Sequence, residues 1–508
     1  MDRRLDSPPT PAFPGGARRR RPASWLGLVL LAAVASGCGS TPPPSATATP
    51  VPTPAPATPL ASPTPVASPT PASSAAATPA PSPTPGPSPA GIILAAADVP
   101  RPPAIEDPTK AASAVNAFGL DLYRRLAAEG GNVVISPTSI AFALAMARFG
   151  ARGETAAEMD AVLRSLGSDE AAAALNALDQ ALVSRSGTFE DEERNRVPVV
   201  LRMVNTAFAQ SGYPLEAAYL EALATRLGAA LRLVDYIADP AEARRLVNDW
   251  VSRWTEKRIP ELLEPADVDT LTRLVLVNAI YLKAAWTHPF DPADTKPGSF
   301  TLLDGSTVRV PMMALDSTGL GPSLPCAVGD GWKAIELPFL GVPARSAGDE
   351  GHWSEGSLAL TVIVPDDLRA FEKRLTPAGL SAALAKLDRC KVSLRMPRFG
   401  VASATRLADV LKAMGMPVAF DPVAADFTGI ANIPGQPLYI SKVIHQANID
   451  VDEKGAEAAA ATAVVMTVGG PGDTSEPIVI RVDRPFLFLV RDVPTGAILF
   501  MGRVVDPS

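Results

Sequence analysis

Val451-Asp-Glu-Lys-Gly-Ala-Glu-Ala-Ala-Ala-Ala-Thr462 is the stretch on which the fold turns. Alanine and glutamate are strong helix formers, so by propensity residues 453–462 read as a helix. The flanks are different. Ile440 to Ala447 is an apolar, strand-like stretch with His445 inside it, and Pro485 to Arg491 and Ala497 to Val505 read as late strands. Between them, Val464-Val-Met-Thr-Val-Gly-Gly-Pro471 contains no Lys or Arg.

Upstream, Leu201 to Gln210 and Arg273 to Leu282 are apolar enough for central strands. Leu358 to Val364 is another strand, stopped by Pro365-Asp366-Asp367. Thr405 to Met414 reads as a short helix. Ala111 to Ala128 has Val115, Phe118, Leu122 and Leu126 at helical spacing, Asn132 to Ser136 is a short strand, and Thr138 to Phe149 is a strongly apolar helix. Another helix starts at Gly153. Helices lead, strands dominate later, and no βαβ rhythm appears: the fold class is mixed α+β.

The first ninety-odd residues have another composition. Arg18 to Arg21, the apolar run Trp25 to Ala35 and Ser36-Gly37-Cys38 form an export signal over residues 1–37; eleven apolar residues are too few to span a bilayer. Small residues before Cys38 resemble a bacterial lipoprotein cleavage site, with Ala35 where that motif usually has leucine. Cys38 is therefore expected to carry a lipid on a bacterial membrane, with plain secretion or an uncleaved anchor as alternatives. Residues 38–104 are expected to be a disordered stalk, because Ser40 to Ala90 is almost only Pro, Ser, Thr and Ala. As polyproline II, at about 3.1 Å per residue, it would reach about 150 Å. The folded domain is expected over residues 105–508.

The formal net charge is -7, and without residues 1–37, which hold six Arg against two Asp, it is -11. An acidic chain with no later Lys/Arg block argues against nucleic acid and heparin-type polyanions. Cys326 and Cys390 are expected as two buried free thiols, a disulfide being the lesser alternative. The histidines His288, His352 and His445 show no metal spacing, and no CxxC, HExxH, Walker, dinucleotide or GxSxG pattern occurs. Asp450-x-Asp452-x-Lys454-Gly455 has Ala461 where a calcium loop needs its last acid. No enzyme, cofactor or metal is expected.

From Pro108 to Ser508 the chain resembles the serpin family. The resemblance is carried, in order, by Asn132-Val-Val-Ile-Ser-Pro-Thr-Ser-Ile140, Gly150-Ala-Arg-Gly-Glu-Thr-Ala-Ala-Glu-Met159, Leu274-Val-Leu-Val-Asn-Ala-Ile-Tyr-Leu-Lys283 and Trp286 with Phe290-Asp-Pro. Val310-Pro-Met-Met313, Ala425-Asp-Phe-Thr-Gly-Ile430, Ile440-Ser-Lys-Val-Ile-His-Gln-Ala447 and Val451-Asp-Glu-Lys-Gly455 follow. Arg484-Pro-Phe-Leu-Phe-Leu-Val-Arg491 and Phe500-Met-Gly-Arg-Val-Val505 close the series. The resemblance implies three β-sheets, eight or nine helices and an exposed reactive-centre loop that is cut by a serine protease and inserts into the largest sheet. It implies secreted serine proteases as partners, with papain-like cysteine proteases as further candidates, and a monomer. The alternative is a non-inhibitory serpin acting as a surface binding or chaperone-like protein.

That likeness turns the alanine run into a strand. The hinge is Glu453, Lys454, Gly455, Ala456, Glu457, Ala458, Ala459, Ala460, Ala461 and Thr462. Side chains alternate across a strand, so Ala456, Ala458, Ala460, Thr462, Val464 and Met466 would face the core and Glu457 the solvent. The family usually has Thr or Ser at the position of Ala456. The scissile bond counts to Gly469–Gly470, with Met466 or Val468 as the other candidates. The bait suits elastase-, subtilisin- or chymotrypsin-like enzymes. Ser136, Ser139, Asn278 and His445 match the family's polar cluster beneath the sheet, where sheet opening is governed; ordinary core satisfaction is the bland role. Trp286, Arg398 and Glu453 match the loop-entry region, with a Glu453–Arg398 ion pair expected. Gly341 to Gly356 looks longer than usual and gets no role.

Overall fold

The computed structural model describes residues 91–191, 194–316, 323–342, 356–456 and 476–508. Among these, the helices are α1 (Thr109–Leu126), α2 (Pro137–Gly150), α3 (Gly153–Leu163), α4 (Ala172–Val183), α5 (Ala217–Leu227), α6 (Pro240–Trp254), α7 (Leu368–Arg374), α8 (Pro377–Leu384) and α9 (Ala408–Met414). The strands form three sheets, as expected for the serpin fold.

The largest sheet has the order β1 (Ile93–Ala95), β5 (Leu231–Val234), β4 (Arg196–Gln210), β6 (Leu274–Ala285), β16 (Gly455–Ala456), β15 (Lys442–Val451) and β14 (Phe399–Arg406), with β3 (Gly187–Glu190) pairing to the start of β4. The second runs β12 (Asp388–Cys390), β9 (Leu324–Gly329), β10 (Trp332–Pro338), β11 (Leu358–Pro365), β18 (Phe486–Asp492), β19 (Ile498–Val504) and β2 (Val133–Ile135). The third is β17 (Ile478–Arg481), β13 (Val392–Pro397), β8 (Thr307–Asp316) and β7 (Lys296–Thr301).

Each central element follows from local chemistry. Pro137 opens α2 at its first turn, where its missing N–H costs nothing, and the Ser136 hydroxyl caps it by accepting from Ser139 N at 3.2 Å. Nearly every residue of α2 is apolar and buried, so the helix lies inside the molecule beneath the largest sheet. Asp239 and Pro240 start α6 in the same way. Its buried face, with Leu246, Val247 and Trp250, packs against Phe208, Val275, Val277 and Ile444 on the outer face of the sheet. β6 is thus covered on both sides: Leu274, Leu276 and Leu282 face the inner core, Val275 and Val277 face α6. A continuous apolar run is what a strand buried on both faces requires.

Three expectations need correcting. Order begins ahead of Ile105: Ile93 to Ala95 pair antiparallel with Leu233 to Leu231, adding β1 to the sheet edge, and Ile92 is buried beside α6. The strand is recruited by the free edge of β5, which its own short sequence does not announce. Thr405 and Arg406 belong to β14, paired with His445 and Ile444, and only Ala408–Met414 is helical. Third, Cys326 and Cys390 are joined as a disulfide rather than standing free. Asp388 pairs with Cys326 and Cys390 with Leu324, so adjacent strands β9 and β12 hold the two Cα atoms 6.0 Å apart.

Candidate functional site

The site is a seam in the largest sheet. β6 and β15 run parallel and pair from Val275–Lys442 to Ile280–Ala447. Beyond that point they part, and β16 occupies the gap. Gly455 and Ala456 pair antiparallel with Ala285 and Ala284 of β6, and Ala456 pairs antiparallel with Val451 of β15. Ala456 is 1% exposed and faces the inner core, the side expected of it. Its methyl group is seated between the two strands. Continued entry would exchange one parallel ladder for two antiparallel ones, and parallel pairing is slightly the weaker per residue.

The chain reaches the gap through a tight turn. The Asp452 carboxylate accepts from Lys454 N at 2.8 Å and Gly455 N at 3.2 Å, and Asp452 N donates to Gly455 O. Gly455 has a φ of 152°, and a Cβ there would collide with the Ala284 carbonyl oxygen, so only glycine serves. Trp286 holds the turn from below: its indole Nε1–H donates to Asp452 O at 2.9 Å, its backbone N–H donates to Lys454 O at 2.9 Å, and its ring stacks on Phe339 at 4.5 Å. Glu453 forms the expected ion pair, at 2.6 Å from Arg398 Nη2, and it also accepts from Thr295 Oγ1 at 2.5 Å. Glu453 is buried while Arg398 is half exposed. Burial pushes the carboxyl pKa up, but the hydrogen bonds from Arg398 and Thr295 outweigh it and hold the group below its ordinary range.

The polar cluster lies at the closed end of the seam. His445 and Asn278 are register partners on β15 and β6. Ser136 N donates to His445 Nε2 at 3.0 Å, which leaves the proton on Nδ1, facing Asn278 Oδ1. Burial pushes the imidazole pKa down to about 3, so the ring is neutral. Ser139 Oγ donates to Asn205 Oδ1 on β4, and Ser139 N completes the link to Ser136. The four expected residues are therefore one network spanning α2, β6 and β15. One valence is unfilled: Asn278 Nδ2 is buried with no hydrogen-bond partner.

Comparison with known proteins bears on this arrangement. The profile of the serpin (serine protease inhibitor) family matches residues 113–507. The chain belongs to the serpin family. It is 38% identical over 400 residues to a serpin-like protein of Thermococcus kodakarensis, covering 78% of this chain and 85% of that one. It is 33% identical over 404 residues to the leukocyte elastase inhibitor of Bos taurus, covering 77% and 97%. Among solved structures, Serpin48, a highly specific serpin of the insect Tenebrio molitor, is similar at 29% identity and a TM-score of 0.64, covering 80% of this chain and 100% of that one. Serpins as a family are protease inhibitors, not catalytic enzymes.

In this serpin several expected site residues lie outside the described residues: Cys38, Glu457, Ala458, Ala459, Ala460, Ala461, Thr462, Met466, Val468, Gly469 and Gly470, with most of Gly341 to Gly356. Three contributors escaped sequence reasoning. Asn205 enters the cluster from the neighbouring strand, Thr295 shares Glu453 with Arg398, and Asp452 caps the hinge turn. Of these only Asp452 carried a local signal, an acid two residues before a Lys-Gly pair.

Proposed function

We propose that this serpin is a suicide-substrate inhibitor of serine proteases. The protease's serine hydroxyl would attack the scissile carbonyl, forming an ester and releasing the new amine. The freed strand would then enter the seam before water hydrolyses the ester. The observation that carries the reading is Ala456, already seated antiparallel between the parting ends of β6 and β15. The seam register extends it. Ala456 lies opposite Ala284 and Val451, so Thr462, six residues on, would lie opposite Asn278 and His445 and on their face.

The bait contains no Lys or Arg, which favours elastase-, subtilisin- or chymotrypsin-like targets, cut at Gly469–Gly470 or after Met466 or Val468. Relatives named leukocyte elastase inhibitor support the elastase-like class. We place the protein, as a monomer, outside the cell on a Pro-rich stalk, lipid-anchored through Cys38; papain-like cysteine proteases are further partners. Incubation with elastase and subtilisin should give an SDS-resistant covalent complex. Ala460→Arg, which would push a cation into the inner core, should turn the inhibitor into a plain substrate. Cleavage of the unaltered protein without a complex across a broad protease panel would establish the non-inhibitory, surface-binding reading instead.

A further inference from the structure

Arg232, on β5, is a cation sunk into the molecule. Its register partners are Leu94 on β1 and Phe208 on β4, and its side chain lies on the outer face of the largest sheet, under α6. The residue is only 8% exposed. Its guanidinium sits over the indole of Trp250, 4.3 Å from the ring centroid, and Nη1 donates to Thr206 Oγ1 at 2.7 Å. Phe208 meets Trp250 edge-on at 5.5 Å and Trp254 follows at 5.8 Å, so the surroundings are aromatic. Nε is buried with no hydrogen-bond partner. Among the described residues no carboxylate faces this side chain; burial alone pushes its pKa down, to about 10, and at neutral pH it keeps its charge.

Other arginines of the molecule show the contrast. Arg185 meets Asp492 at 2.6 Å, Arg491 meets Glu336 at 2.5 Å and Arg503 meets Glu372 at 3.0 Å, each arginine side chain being 12% exposed or less. A charge taken out of water is costly unless it is paired. At Arg232 the face of Trp250 attracts the cation and Thr206 takes one donor. Neither neutralises the charge, and neither serves the edge formed by Nε–H and Nη2–H. That edge holds a carboxylate through two parallel bonds, or one halide between the two donors. Leu94, opposite Arg232 and on the same face, is 46% exposed, so the sheet edge beside the guanidinium is within reach of ions from solvent.

We infer that Arg232, walled by Trp250 and Thr206, binds a monovalent anion of halide or carboxylate type where α6 meets the edge of the sheet. One negative charge makes the buried group neutral, whereas a dianion such as sulfate would leave a net charge in aromatic surroundings. The anion accepts from Nε, supplies the pairing that Asp492, Glu336 and Glu372 give to the other arginines, and favours the folded chain by mass action. β4 separates β5 from β6 and the seam, so the inference is independent of the loop-insertion reading.

The test titrates the intact full-length protein with bromide at constant ionic strength, which keeps general screening unchanged. Bromide quenches tryptophan fluorescence, and an ion held beside Trp250 should add a saturable component to the linear collisional quenching. Trp250→Phe should remove most of that component. Arg232→Lys keeps the charge without the fork and should raise the half-saturating bromide concentration about tenfold, the loss of one charge-assisted hydrogen bond. Arg232→Met should abolish the component. Acetate added as competitor reads the source: recovered fluorescence assigns the site to carboxylates as well, and undiminished quenching restricts it to halides. Melting temperature gives a readout that needs no tryptophan. Arg232→Met should melt no lower than the unaltered protein in sulfate, because it removes an unpaired buried cation, and lower than it in chloride. Strictly linear quenching of the unaltered protein, the result expected of a water molecule at Nε, would overturn the inference. So would a saturable component that survives in Arg232→Met.

Discussion

His445 Nδ1 donates to Asn278 Oδ1 at 2.5 Å across the seam between β15 and β6. The bond joins the two strands that would separate on loop insertion, and the neutral ring that makes it also accepts from Ser136 N at Nε2, a bond that protonation would abolish. The folded pKa lies near 3 against 6.5 for the free group. A depressed histidine binds its proton in the unfolded chain first, so its contribution to stability is complete above pH 6.5 and is lost as pH falls. Between pH 6.5 and 5 that loss is about 2 kcal/mol. Chemical denaturation of intact protein across this window should show it, and His445→Gln should remove it. A residual slope of the same sign is expected from His288, whose pKa is also pushed down, by burial and by Arg389.

The unfilled Asn278 Nδ2 predicts a role for Thr462. In the inserted state its hydroxyl would reach the register position of Asn278 and His445 and supply the missing acceptor. Thr462→Val keeps the shape and removes the acceptor. It should leave the intact protein's melting temperature unchanged and cut the stability gained on nicking by about 1–3 kcal/mol, the cost of a buried unsatisfied donor. Calorimetry of intact and nicked forms checks both halves.

The residues of these two predictions show what could be read in advance. Central elements such as β6 and α2 are buried on all sides, so their apolar runs announce them. Propensity reads residues 453–462 as a helix, and among the described part of that stretch Gly455 and Ala456 are strand instead. Ala456 is strand because β6 and β15 offer hydrogen bonds on both sides, a tertiary fact. The same holds for β1, three residues paired to an edge formed far along the chain. Asn205 and Thr295 carry ordinary strand and turn polarity, and only packing brings them to Ser139 and Glu453. The cysteine pairing depends on the register of β9 and β12, which no spacing reveals.

Arg101, on the segment that precedes α1, makes an ion pair with Asp179 of α4 at 2.7 Å and donates to Asn176 Oδ1 at 2.7 Å. Burial drives the Asp179 pKa up, and Arg101 pulls it partly back. Arg101→Ala would leave a buried carboxylate without its cation and should cost about 3 kcal/mol at pH 7. Because the neutral acid is better tolerated inside, the penalty should shrink as the pH is lowered to about 5. Urea titrations at the two values measure the difference.

Cys326 and Cys390 close a loop with a sequence separation of 64. On the chain-entropy account such a closure contributes about 4 kcal/mol. Cys390→Ser, or reduction of the protein, should lower the denaturation midpoint accordingly. Thiol labelling in denaturant without reductant should modify at most one cysteine of the three, Cys38.

That bond has a mechanical consequence. It ties β9 to β12 at the rim of the seven-stranded sheet, and none of its atoms belongs to β6 or β15. On the loop-insertion reading, the chassis can therefore be hardened covalently while the travelling part would keep its freedom. Oxidising surroundings would then toughen this protein against unfolding without blunting the spring that this reading assigns to it.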